Sequence, residues 1–435
     1  MKNFSTAFVL ALIFNAVADT QIVDGLEWTY SKGINAWVGD GLTAAIPKDT
    51  EGVIEIPATL GGVPVTRISP NAFSGCSRIT SVSCPSTITD IGESAFLNCS
   101  NLASVVFSPN LLRISKFAFK NCVKLSISEL PQSLTEIGQS AFAYCDSIKT
   151  LSIPDGVSKM GSSVFSYCGG LRYAELPADG ESVEYRTFFF CTNLVAVVFP
   201  TNLVTVGQDA FYACENLQAA DFPASLREIG DGAFMGCRKI AVVSIPEGVR
   251  SIAALTFSQC ANLVNVTLPY SCEEVGARSF ASCDKLKNLV LSSELSNVDA
   301  TAFLGCDNLE SIRLKDGGGC FDIPFAWVEK YYPDKPRSSV PSIIFADSGK
   351  RHPVWHDYVA GTDPTKAGDK FTVAISVCEE KVTISYSPEL DDEQKAMRVY
   401  TTWGKKSLMD EKWVVVQDGD EGQYNFFKVS VEMRD

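Results

Sequence analysis

Histidine is nearly missing from this chain of 435 residues: there are two, His352 and His356, both within His-Pro-Val-Trp-His. Elsewhere no imidazole is available to activate a serine or cysteine nucleophile, so that route to covalent catalysis lacks its base. The pair itself has the four-residue spacing that puts two zinc ligands on one helical face. The glutamate of an H-E-x-x-H site is absent, however, and no third ligand stands out. A G-x-S-x-G elbow, a phosphate-binding glycine loop and a C-x-x-C pair are missing as well. No catalytic residue, cofactor or metal site is expected.

Basic residues are in deficit. Thirty-seven Lys and Arg against 51 Asp and Glu leave a formal charge of −14, and no basic cluster exists to neutralise a row of phosphates, which argues against nucleic acid as a partner. Long apolar runs are scarce too. The run Thr6 to Phe14 is shorter than the roughly 20 residues of a membrane helix, and no later stretch approaches that length, so no membrane span is expected. Flanked by Lys2, Ala16 and Ala18, that run reads as an export signal over residues 1–18, cleaved after Ala18. The protein is therefore expected to be secreted or held at the cell surface. Apolar residues at 46% and charged residues at 20% exclude overall disorder.

What the chain does have is a strict repeat. Phenylalanine recurs every 23 residues from Phe73 and Phe96 to Phe280 and Phe303, and a cysteine follows each three places later, from Cys76 to Cys306. Counting from each cysteine, an aliphatic residue falls at +3, a mostly aliphatic one at +6 and usually another apolar one at +8, as in Leu194, Val197 and Phe199; this is the L-x-x-L-x-L strand of a leucine-rich repeat. Proline at +9 (Pro154, Pro200, Pro223, Pro246) stops the strand. A second apolar pair sits at +12 and +15, and glycine often at +16 (Gly92, Gly138, Gly161), where a turn with positive φ is expected. Each coil should thus hold one parallel strand, beginning near +3, and then a corner. No coil can bury its apolar residues alone, so neighbours must stack about 4.8 Å apart. The coil from Cys168 to Cys191, with Gly180 at +12 and Glu184 at +16, should be locally loose but in register.

Fifteen cysteines in an exported chain would ordinarily suggest disulfides. In stacked coils, though, equivalent side chains stand about 4.8 Å apart, wider than the roughly 3.8 Å between Cβ atoms that a disulfide prefers. The eleven repeat cysteines, with Cys84 and Cys272, are therefore read as buried thiols. Cys320 and Cys378 lie outside the ladder and are the one plausible bridge.

Units such as Ile229-Gly230-Asp231-Gly232-Ala233-Phe234-Met235-Gly236-Cys237, continuing to Ile245-Pro246, resemble the BspA-like leucine-rich repeats of bacterial and protist surface proteins. The resemblance covers about residues 53–314. It implies adhesion, or binding of host or matrix proteins. Further on, Asp357 and Gly361-Thr362-Asp363-Pro364 resemble the end of a thrombospondin type 3-like calcium repeat, but Val354 replaces an expected acidic residue and few oxygen ligands are in sight. A helix-to-strand corner is the other reading.

The expected fold is mainly β: a leucine-rich-repeat solenoid of 23-residue coils over 71–314, preceded by an N-terminal cap and first irregular coil over 19–70. Trp28 is expected as a buried residue of that cap. A linker with a short helix around 324–331 would occupy 315–344, and a small C-terminal β domain 345–435, with strands near 371–377, 381–386, 398–402, 413–416 and 426–431. Side chains at +5 and +7 should face outward. Among them Ile127 and Tyr173, with Val106 and Val198 close by, form the candidate docking patch for a protein or glycan partner. A non-catalytic binding or adhesion protein is the favoured function. A structural spacer that displays the C-terminal domain is the alternative, and an enzyme confined to that domain is the third class.

The repeat makes a direct prediction. Phe211→Ala should cost about 3–5 kcal/mol through the cavity it leaves, whereas His356→Ala, outside the ladder, should leave the urea midpoint nearly unchanged.

Overall fold

A computed structural model describes residues 18–315, 320–323 and 325–346, together with strand segments at 372–378, 381–387, 398–405, 414–415 and 426–433. Residues 1–17, which hold most of the expected export signal, the His352/His356 pair and the stretch 357–364 lie outside the described residues, as do the side chains of Cys320 and Cys378. The fold is a β-solenoid of about eleven turns. Its contacts divide into two compact units, 1–180 with 186–198, and 181–185 with 199–435. The coil expected to be loose, Cys168 to Cys191, contributes residues to both; it keeps register, because Ser182–Val183 pairs in parallel with Thr205–Val206.

The first unit opens with the strands β1 (Asp19–Val23) and β2 (Leu26–Lys32), joined by Asp24 and Gly25 at φ 52° and 80°. Two central residues of positive φ match the right-handed twist of a hairpin. Alternation along β2 turns Trp28 and Tyr30 inward, and Trp28, 2% exposed, meets Phe73 edge-to-face at 6.2 Å. The aromatic of the cap thereby closes the end of the phenylalanine column. Strand β3 (Ala36–Val38) passes the pairing on to Val63–Ile68, the beginning of the parallel ladder.

Two parallel ladders, where one was expected, run along the coils. The first holds places +5 to +7, as in Ser104–Val106, Tyr173–Glu175 and Asn265–Thr267. It begins two places later than expected, except at Ile79, because the +3 amide still closes a turn onto the cysteine carbonyl, as Leu102 does onto Cys99 at 3.0 Å. The second ladder holds +14 and +15. In the first unit it joins Val63–Ile68, Asp90–Ile91, Arg113–Ile114, Glu136–Ile137 and Lys159–Met160. At +14 this gives a column Arg67, Asp90, Arg113, Glu136, Lys159 of alternating sign, in which Arg113 Nε donates to Asp90 Oδ1 at 2.6 Å.

Positive φ is found not at +16 but at −5 and −1, on either side of the phenylalanine. Asn98, Tyr144, Tyr167 and Gln259 are all left-handed at −1. This alternation points every second amide along the stack: Asn71, Phe73 and Gly75 donate to the carbonyls of Glu93, Ala95 and Leu97 one coil on, at 2.7–2.9 Å. The amides between them close turns within the coil, as Ser74 does onto Asn71. The +16 glycines serve close approach instead. Each donates to the +15 carbonyl of the preceding coil, Gly138 to Ile114 at 2.7 Å and Gly161 to Ile137 at 2.8 Å. A Cβ at either place would collide with the backbone nitrogen of Lys116 or Gln139.

All eleven repeat phenylalanines and cysteines are buried. In the first unit successive rings stack at 4.9–5.8 Å from Phe73 to Phe188, and in the second at 5.1–5.5 Å from Phe211 to Phe303. Each such contact contributes about 0.5–1.5 kcal/mol beyond burial. Ion pairs follow the same 23-residue step, as in Lys116–Glu93 and Lys287–Glu310.

The stretch expected as a linker packs down. Helices α1 (Phe325–Tyr331) and α2 (Val340–Phe345) bury Val328, Val340 and Ile344, and Arg337 donates to the Leu309 carbonyl while its guanidinium lies 4.8 Å from the Phe325 ring. Apolar Val340, Ile344 and Phe345 recur at a helical spacing within the proline-rich sequence, and the last coil needs a cover. Beyond it, Thr372–Cys378 and Lys381–Ser387 form an antiparallel pair, and Arg398–Lys405 pairs with both Val414–Val415 and Phe426–Met433.

Gly161→Ala should destabilise by roughly 1–3 kcal/mol, the range for overpacking. Gln259→Gly, at an exposed place with φ 61°, should leave stability unchanged or slightly raised, within about 1 kcal/mol. Urea midpoints of the two variants check both; a loss of similar size at each place would contradict the distinct roles given to +16 and −1.

Candidate binding grooves on the strand face

Side chains at +5 and +7 of the first ladder alternate with inward +6 residues and stand in solvent. Tyr173 is 47% exposed, and Val106 and Val198 are each 60% exposed. Ile127 is not: it is 8% exposed, which overturns the reading that made it an outward group. Ser128 occupies +6 in that coil, where an aliphatic residue normally points inward, so no strand forms over 127–129 and Ile127 turns into the core in its place.

In the first unit a groove of about 430 Å³ gathers Tyr173 and Val198 with Thr150, Ser152, Glu129 and Glu175. Val106 belongs to the sheet on the far side of the break at 127–129 and does not line it. The second unit has a groove of about 470 Å³ lined by residues 218–222 with Val242, Ser244 and Pro246. Both share one cause. The +6 residue is small at Ser128, Ala174 and Ala220, and those three coils line the grooves, whereas Leu, Ile or Val holds +6 in the other coils. Ala174 and Ala220 fill less of the core than a branched side chain would, and at Ser128, which is exposed, the chain leaves the strand and Ile127 takes the core place. The +6 column was readable in the sequence and was the signal that sequence reasoning missed.

The first groove is polar along one edge. Parallel register sets Glu129 beside Ser152 and Ser152 beside Glu175, and Ser152 Oγ donates to Glu175 Oε2 at 3.0 Å. Tyr173 stands two places before Glu175 on the same strand, beside Thr150, with the Arg172 guanidinium 6.0 Å from its ring centroid.

The family profile for the BspA type Leucine rich repeat region matches residues 66–195 and 181–310, with six copies. The chain belongs to the BspA type leucine-rich-repeat family. Membership supports a protein-interaction or surface role. Solved structures similar to it include a leucine-rich repeat protein of T. pallidum, 30% identical over 44% of this chain and 87% of that one, TM-score 0.40. A leucine-rich cell surface protein of Faecalibacterium prausnitzii is 27% identical over 68% and 88%, TM-score 0.47. One from Bacteroides ovatus is 26% identical over 67% and 94%, TM-score 0.43. No curated protein matches the chain.

The cysteine of this BspA type repeat works as a structural donor. Its Sγ donates to the phenylalanine carbonyl of the preceding coil at 3.0–3.4 Å in nine coils, as Cys99 does to Phe73. Among the described residues, thirteen cysteines are free and buried. Burial pushes the Cys76 thiol up to about 11 and those of Cys84, Cys168, Cys260 and Cys272 to about 12, far from the range of a reactive nucleophile. Among the described residues, no three His, Cys, Asp or Glu side chains group to hold a metal ion, and no helix is long and apolar enough to cross a membrane.

Because all thirteen are buried, a thiol-reactive dye at pH 8 should label none of them in the folded protein and all of them in 6 M guanidinium. Mass spectrometry of the labelled peptides distinguishes them from Cys320 and Cys378.

Proposed function

We propose that this chain is a non-catalytic secreted or cell-surface protein that holds a protein partner in the strand-face groove around Tyr173. The observation that carries this reading is the groove itself. An exposed aromatic ring and an exposed valine stand over a depression made by small +6 residues, on the broad open surface a solenoid offers. Tyrosine brings large contact area with few rotatable bonds, so it loses little entropy on docking. Family membership favours a protein-interaction role, and the apolar N-terminal run favours export.

The test is a binding screen of the secreted protein against extracellular-matrix and cell-surface proteins, repeated with variants. Tyr173→Ser with Val198→Ser should weaken the bound partner at least tenfold, about 1.4 kcal/mol, with an unchanged urea midpoint. Val106→Ser, equally exposed but outside the groove, should leave affinity as it was. Equal affinity in all three proteins would reject this groove.

A further inference from the structure

We infer that the groove around Tyr173 is built for a basic segment of its partner, whose lysine or arginine side chains pair with Glu129 and Glu175. This rests on the reading of the groove as the partner site. Some carboxylates along the coils are matched one coil away: Asp90 with Arg113, Glu93 with Lys116, Glu273 with Arg250, Glu310 with Lys287. Glu129 and Glu175, which line the groove, are not. Both are exposed, and among the described residues neither has a cation within 4.0 Å. Their +7 column places Ser152 between them, so they stand two coils, or about 10 Å, apart. The Ser152 hydroxyl holds Glu175 in place.

The groove is also polarised. Lys149 and Arg172 sit at +4, on the entry edge of the same strands, while the two carboxylates hold the exit edge. A partner segment is thus oriented as well as attracted, with its cationic side toward +7. Tyr173 is suited to the same chemistry, because its ring already takes the Arg172 guanidinium and an aromatic face attracts cations. The spacing adds a constraint. In a polyproline II segment, residues i and i+3 point the same way about 9 Å apart, so Lys-x-x-Lys in that conformation meets both carboxylates.

A fluorescent (Lys-Pro-Pro)₃ peptide tests this on the full chain. Its affinity should fall at least tenfold in Glu129→Gln/Glu175→Gln and decline steeply with salt, and a (Glu-Pro-Pro)₃ peptide should not bind. The control pair Glu228→Gln/Glu274→Gln removes the same charge from exposed places in the second unit and should change affinity less than twofold. Equal losses in both pairs would reduce the effect to net charge and overturn the inference, as would no loss in either. Displacement of the peptide from neither groove edge by salt, with displacement by a neutral maltohexaose, would overturn it in favour of a glycan site. If the protein partner is lost with Tyr173→Ser yet kept by the glutamate pair, the basic chemistry falls and the groove reading stands. Retention in all of these variants sinks both.

Discussion

The phenylalanine carbonyl is the point on which each coil turns. It accepts the amide of its own cysteine, closing the turn, and the thiol of the next cysteine, 23 residues on, joining two coils; Phe73, for instance, receives Cys76 N at 3.0 Å and Cys99 Sγ at 3.0 Å. A carbonyl has two lone pairs, so both bonds can be made at once. Serine would offer a stronger donor but a less apolar side chain in a column without water, and alanine would leave the second lone pair empty. With the coils held at this spacing, ring stacking, the −5 to −1 hydrogen bonds and the glycine approach at +16 all follow. The left-handed residues beside the phenylalanine each cost about 1–2 kcal/mol when they carry a side chain. The chain bears that cost at Tyr144, Tyr167 and other places because alternation of handedness is what turns the amides along the stack.

The sequence pattern was sufficient for what repeats and insufficient for what departs. Eleven phenylalanines and cysteines at one spacing located the core, and Trp28, an aromatic in a short strand-like piece, was placed in the cap as a buried residue. The second ladder escaped notice because two residues per coil make too short a pattern to show period-two alternation. Glycine at +16 was assigned to a turn because glycine's commonest use is positive φ; only the contact with the coil below reveals the other use. Ile127 failed for a related reason. Its outward direction was counted from an ideal strand, and Ser128 removes the strand. Helix α2 was hidden by prolines that read as a linker, although Pro341 lies in the first turn, where a missing amide costs nothing.

In the proposed reading, binding on this scaffold arises from small departures in an otherwise uniform wall. The inward residues fix the coils and cannot vary without cavities or strain, whereas outward places are free to differ. Binding character therefore comes from two sources: which side chains stand outside, and where a small inward residue lets the surface sink. The Tyr173 groove uses both. A flat strand face bearing the same tyrosine would contact a partner on one side only; in the proposed reading the groove beside Ala174 would enclose it, excluding water from the contact and strengthening any charge pairing there.

The alternating column Arg67, Asp90, Arg113, Glu136, Lys159 bears on how such a chain can change length over generations. Tandem repeats gain and lose units by recombination between copies, and a single added or deleted coil preserves every apolar column. In this segment it would not preserve the charge column: loss of the coil carrying Asp90 sets Arg67 against Arg113, whereas loss of two adjacent coils restores an opposite pair. Like charges in adjacent strands destabilise where opposite ones support. In this segment the charge column repeats every two coils, 46 residues, although the structural unit is one coil of 23. In the second unit, where +14 runs Glu228, Ser251, Glu274 and Asn297, the column carries no such alternation, and a change of one coil disturbs no charge pair there.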